Sequence, residues 1–219
     1  MKKLILGIMI LIISASCVFA DEGSKNITKL PEPEKSGGMS LLESLALRKT
    51  TREFSDVDFT EQQLANLLWA AAGRNRDDGY RVYPVGMGVQ DTFIYVFNRD
   101  GIYKYDALEN TLTLIKKGDF RAETGVPQEE NFVGKASVNL VYVQDLSFWK
   151  EFFEKIPKEA ILKMGTAHAG AVMQNVYLYA ASQGWNSVVR GSFDAKKLSE
   201  LMNLNENQVI NLAHSVGIK

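Results

Sequence analysis

Cysteine is nearly absent: the 219 residues hold one, Cys17. A single thiol excludes a disulfide framework and any cysteine-based zinc site. Histidine is almost as scarce. His168 and His214 stand alone and far apart, which argues against a metal-centred mechanism and leaves a nucleophile–base pair poorly supplied. A basic excess is missing too. The chain has 25 Lys and Arg against 26 Asp and Glu, for a formal net charge of −1, whereas a nucleic-acid binder neutralises phosphates with surplus cations. Gly-x-Ser-x-Gly, a Walker loop and Gly-x-Gly-x-x-Gly after a strand are all lacking,. What remains is an ordinary globular composition, 46% hydrophobic and 23% charged, over a length that suits one domain. An enzyme built from this inventory leaves its chemistry to a cofactor.

Long apolar runs are confined to the N-terminus. Lys2 and Lys3 precede Leu4 to Ile13, a run shorter than the roughly 20 residues of a membrane span but matched to a secretory signal peptide. Val18-Phe19-Ala20 before Asp21 reads as a cleavage site. Residues 1–20 are therefore expected to be a signal, and the mature chain to be exported, periplasmic or extracellular. Cys17 after Ser14-Ala15-Ser16 opens a second reading, a lipoprotein anchored at that cysteine. Cleavage at Ala20 leaves 23 basic against 26 acidic residues and no cysteine. Residues 21–38 are polar and rich in Pro and Gly without apolar period, and read as a flexible leader or tether,. The folded domain is expected over 39–219.

Ser40 with Glu43, and Thr60 with Gln63, form capping boxes ahead of leucine-rich stretches, predicting two helices,. Thr92–Phe97, Ile102–Tyr105 and Thr111–Ile115 read as strands, the first two joined by the Asn98–Gly101 turn,. Val138–Val143 is a further strand. Pro157 opens a long helix over Lys158–Gln183, stopped by Gly184, whose small residues at Gly165, Ala167 and Ala169–Ala171 allow close packing,. Ser187–Val189 is a short strand, Asp194 caps a helix, and Asn205 with Gln208 predicts a last helix through His214. On that reading His214 is a surface residue at a helix C-terminus, and His168 is a packed or partner-facing residue. Helices, then strands, then helices make an α+β class.

The densest cluster of function-bearing side chains is Arg48-Lys49-Thr50-Thr51-Arg52. Its cations and hydroxyls suit a phosphate, and equally a solvated helix end. Phe54 follows at the spacing of an Arg-Arg-Ser-x-Arg-x-Phe pattern, and this arrangement resembles the FMN-dependent nitroreductase family. Arg81 ahead of Pro84-Val85-Gly86-Met87-Gly88 is similar to the flavin loop of that family's thiazoline-oxidase-like branch, with Val85 where the branch has Ser. Gly184-Trp185-Asn186-Ser187-Val188-Val189-Arg190-Gly191-Ser192-Phe193-Asp194 resembles its Gly-Leu … Gly-Phe-Asp segment, and Gln174-Asn175 its buried dimer helix. The likeness runs from about Ser40 to Gly217.

The resemblance implies a three-layer α-β-α sandwich, with a mixed, largely antiparallel sheet around a long central helix. It implies FMN as cofactor and a homodimer with one flavin in each of two interface clefts. The activity implied is ping-pong hydride transfer through the flavin N5, from NAD(P)H to a nitroaromatic, quinone or similar acceptor. No catalytic side chain and no metal are expected. The implied flavin contacts are Arg48, Lys49, Thr50, Arg52, Pro84, Val85, Gly86, Gln128, Val189, Arg190, Gly191 and Ser192. Either Gln128 or Asn131 reaches the ring edge. Arg190 is expected over the ring or toward the phosphate, and Lys219, Arg74 or Arg76 completes the phosphate site. The alternative is a secreted, non-catalytic module of the same fold that binds a flavin or other planar ligand.

Overall fold

The computed structural model describes residues 26–219, without the side chains of residues 129–131. The expected signal, its cleavage site and Cys17 lie outside the described residues. Seven strands form one sheet in the order β1-β4-β3-β2-β5-β7-β6. They are β1 (Ile27–Lys29), β2 (Thr92–Phe97), β3 (Gly101–Asp106), β4 (Thr111–Lys117), β5 (Val138–Asp145), β6 (Asn186–Arg190) and β7 (Gln208–Gly217). The helices are α1 (Leu41–Leu47), α2 (Glu61–Ala72), the single turn α3 (Glu130–Val133), α4 (Lys158–Ser182) and α5 (Ala195–Leu201).

Alternation along the central strands sorts residues to two faces. Ile94, Val96, Leu140 and Tyr142 meet α2 and α4 in the main core, while Tyr95, Phe97, Val141 and Val143 meet Leu198 and Met202 of the α5 region. The α+β sandwich follows from that division. Both capping boxes are formed, at Ser40–Glu43 and Thr60–Gln63. Among the described residues no helix is long and apolar enough to cross a membrane.

Three expectations are corrected. The sheet is not mixed, because every described pairing is antiparallel. The long α4 crossover makes β5 and β6 parallel to each other, but β7 inserts between them and is antiparallel to both. The predicted last helix is instead β7. The Asn205–Gln208 hydrogen bonds close only a turn, with Gln208 N–H donating to the Asn205 carbonyl at 3.0 Å, and pairing with β5 on one side and β6 on the other then fixes the extended chain.

The tether, finally, is docked over part of its length. β1 pairs with β4 through Ile27, Thr28 and Lys29, and Leu30 is buried in the main core. Leu30 N–H donates to the Asn110 carbonyl at 3.0 Å, and Glu34 N–H to Asn66 Oδ1 at 2.9 Å. One leucine among polar residues carries little periodicity, and its burial depends on distant partners.

Candidate functional site

The segment that follows α1 is held against the edge of the sheet. Thr51 N–H donates to the Ser187 carbonyl at 3.0 Å, and Ser187 N–H returns a bond to Thr51 Oγ1 at 3.1 Å. Beside them, the Tyr177 hydroxyl of α4 accepts from Val189 N–H at 2.9 Å and lies 3.1 Å from Thr50 Oγ1. The Arg48 guanidinium stands over the Tyr177 ring, 5.5 Å from its centroid, in cation–π contact. One tyrosine thus gathers Arg48, Thr50 and Val189. Nothing in its sequence surroundings marked it, since it reads as one more apolar position on a buried helix.

Lys49 and Lys219 line the same cleft of about 190 Å³, with Tyr177, Asn186 and Ser187 and no Asp or Glu side chain. Arg52 is exposed nearby in sequence. Two ammonium groups and a hydroxyl, with the Arg48 guanidinium over the Tyr177 ring, suit a phosphate monoester,. Of the three cations weighed for completing such a site, Lys219 is the one beside Lys49. Arg74 and Arg76 line a different cavity and face Asp77 and Asp78 at 3.5 and 3.7 Å.

Arg190 is corrected. Its side chain neither lies over an open cleft nor points to Lys49. It is buried, with Nη1 donating to the Thr124 carbonyl at 2.6 Å and Nη2 to Thr124 Oγ1, Asn139 Oδ1 and Ser215 Oγ at 3.1–3.2 Å. Sheet pairing places it inward at the edge, where Thr124, Asn139 and Ser215 accept from its Nη1 and Nη2 groups. Only its backbone, with that of exposed Gly191 and Ser192, is left for a ligand. Gln128 is exposed on a single 3₁₀ turn, Pro127–Glu129.

His214 is corrected as well. It is fully buried in β7, with Nδ1 3.0 Å from the Tyr142 hydroxyl and its ring 4.6 Å from that of Tyr177. Burial, aided by the charge of Arg190, pushes its pKa down to about 3, so it is a neutral ring throughout the physiological range.

The loop Pro84–Gly88 is organised from elsewhere. Gly86 N–H donates to His168 Nε2 at 2.7 Å, and His168 Nδ1 donates to Asp91 Oδ1 at 2.8 Å. The other carboxylate oxygen of Asp91 accepts from Gln144 Nε2 and Trp149 Nε1, each at 2.7 Å. Burial alone would raise the Asp91 carboxyl, but the bonds from His168, Trp149 and Gln144 outweigh it and hold its pKa below the ordinary value,. Gly165 makes room for this knot. A Cβ there would fall 2.0 Å from the Gln144 side chain, so that small residue serves packing within the chain. Pro84 is exposed and Val85 packs on the main core. Met87 and Gly88 take left-handed conformations, φ 55° and 76°.

The nominated residues therefore form two groups. Arg48, Lys49, Thr50 and Val189 gather at Tyr177, and Pro84–Gly86 hangs from His168. The two anchors are nine residues apart on α4, about 14 Å along the axis and half a turn out of phase. Among the described residues no hydrogen bond joins the groups.

Comparison with known proteins agrees with this architecture. A family model described as "Nitroreductase family" matches residues 45–218. A solved structure from Ralstonia eutropha, named as a nitroreductase, is 38% identical, with a TM-score of 0.81 over 89% of this chain and 90% of that one. A protein of Methanocaldococcus jannaschii, also named as a nitroreductase, is 25% identical over 81% of this chain and 90% of its own length. A further structure so named, from Desulfovibrio desulfuricans and solved in complex with FMN, shares the fold at 17% identity and a TM-score of 0.57. That match covers 83% and 87% of the two chains.

Proposed function

The chain belongs to the nitroreductase family, and from that premise we propose that it is an FMN-dependent oxidoreductase. The observation that carries the reading is the cleft of Lys49 and Lys219, lined by no Asp or Glu side chain, beside Tyr177, which ties Thr50 and Val189 together. Lys49, Lys219, Arg48 and Arg52 hold the phosphate, and Thr50 adds a hydroxyl. The backbone of Val189–Ser192 and of Pro84–Gly86 lies against the ring, where Gly86 presents no side chain. When bound, FMN supplies hydride-transfer chemistry, which is why the chain needs no acid–base pair of its own. NAD(P)H is the donor class, and nitroaromatics or quinones the acceptors. Arg81 and the glycine-rich loop keep the chain nearest the thiazoline-oxidase-like branch.

The reading includes a homodimer. The two groups of contacts sit on opposite sides of α4, so one flavin meets both only if a second copy supplies one of them. The surface suits such an encounter. Leu41 and Leu42 of α1 are 62% and 77% exposed, and at Gly170 of α4 an added Cβ would meet nothing within 4 Å. Apolar residues left this exposed mark an association surface, and α4 offers a close approach there. Export, by cleavage after Ala20 or with an anchor at Cys17, belongs to the same proposal and rests on Lys2, Lys3 and the apolar run alone.

The test is to incubate the protein with FMN, pass it through gel filtration, and add NADPH without oxygen. Retained flavin that bleaches supports the oxidoreductase. Retained flavin that does not bleach favours the non-catalytic flavin-binding module. Loss of all flavin on the column overturns the reading.

A further inference from the structure

A second cavity holds none of the nominated flavin contacts, although Arg81, which precedes the flavin loop, is on its lining. Its volume is about 450 Å³, in the range that holds a small organic ligand. The start of β2, the end of β3 and the turn into β4 supply much of its lining, with Phe148 contributed from the segment after β5. Phe93 and Phe148 stand 5.5 Å apart with their rings tilted by 52°. The Lys104 ammonium lies 4.3 Å from the Phe93 ring centroid. Phe148 and Leu108, both on the lining, are each left 50% exposed.

The polar part of the lining is incomplete. Arg81 Nη1 donates to the Thr92 carbonyl at 3.1 Å, but its Nε is buried without an acceptor. Gln90 Nε2 reaches the Gly79 carbonyl at 3.4 Å, and its Oε1 is buried without a donor. Buried polar atoms of native proteins normally have partners. Among the described residues neither Arg81 nor Lys104 has a carboxylate in ion-pair reach. Asp106, the one carboxylate on the lining, has Oδ1 occupied by the Leu108 and Glu109 amides of its own turn.

We propose that this cavity is a binding site for a small aromatic carboxylate. A flat ring packs against Phe93 and Phe148, covering the exposed apolar surface. The carboxylate pairs with the charges of the Arg81 guanidinium and Lys104. The proposal does not need the flavin reading, since no nominated flavin contact lines the cavity and Arg81 is shared only as the residue ahead of the flavin loop.

Calorimetric titration of the full chain with 2-naphthoate, beside the uncharged 2-naphthalenemethanol, tests it. The acid is expected to saturate one site per chain and to bind at least tenfold tighter than the alcohol. Arg81→Gln and Phe148→Ala should each weaken the acid at least tenfold, and saturating FMN should leave its affinity unchanged. Phe148 is half exposed, so its variant carries the test should Arg81→Gln fail to fold. Absence of saturable binding, equal affinity for acid and alcohol, an unchanged Phe148→Ala variant, or competition by FMN would each overturn the assignment.

Discussion

The two stations along α4 are built on opposite plans. Around His168 every strong donor is matched. A buried carboxylate collects an imidazole, an indole and an amide, and the imidazole in turn accepts the Gly86 amide. Around Tyr177 the geometry is fixed by the tyrosine hydroxyl, while Lys49 and Lys219 face a cleft lined by no Asp or Glu side chain. The first arrangement pairs its donors within the chain and holds a loop in shape. The second leaves positive charge for an anion to neutralise. A frame and a receptor therefore share one helix, and substitutions at the two stations should fail differently.

The largest effect is expected at the frame. Asp91→Asn turns two of the amide's hydrogens toward groups that also donate, and should cost about 3 kcal/mol of stability, read by denaturant unfolding. A variant as stable as the parent would show that the knot contributes little. At the receptor the pattern inverts. Arg48→Ala with Arg52→Ala removes two exposed or half-exposed cations and should leave unfolding within about 0.5 kcal/mol of the parent. FMN affinity should fall about a hundredfold or more, at 1.5–3 kcal/mol per charged hydrogen bond. Equal flavin affinity in that variant would remove the phosphate assignment.

A pH-dependent effect is expected at His214. His214 titrates near 3 in the folded chain against 6.5 ordinarily, so between those values the unfolded chain binds a proton that the folded one refuses. Stability from this group is complete above about pH 6.5 and declines on acidification, with a slope approaching about 1.4 kcal/mol per pH unit. Unfolding of His214→Gln across pH 4–7 should lack that slope. The smallest effect is at Gly86, where an added Cβ meets Met164 and His168 at ordinary contact distance, 3.4 and 3.5 Å. Gly86→Ala should fold normally and bind FMN more weakly, as titration of both proteins would show.

How much of this was legible beforehand follows the range of the interactions. The capping boxes, the Asn98–Gly101 turn and α4 depend on residues a few positions apart, and the sequence carries them openly. β7 was misread because its cap-like start is local while its pairing with β5 and β6 is not. His214 was misplaced with it. β1 was missed because three exposed residues and a single buried leucine give no period. The cationic cluster was visible as charge, whereas Tyr177 and Asp91 act through partners 12 to 127 residues away. Arg190 shows the converse. Its charge suggested a ligand, and the surrounding acceptors, all distant in sequence, take that charge inside.

On the proposed reading, one flavin draws on the Tyr177 station of one copy and the His168 station of another. Arg48→Ala with Arg52→Ala disables the first station, and His168→Ala the second. Each protein alone should be a folded dimer that retains little FMN. After exchange of subunits between equal amounts of the two, hybrid dimers hold one intact site, and random pairing restores flavin to about one site in four. Recovery near that level is the predicted result. Hybrid dimers that remain without flavin, from parents shown to be folded, would contradict a site shared between copies.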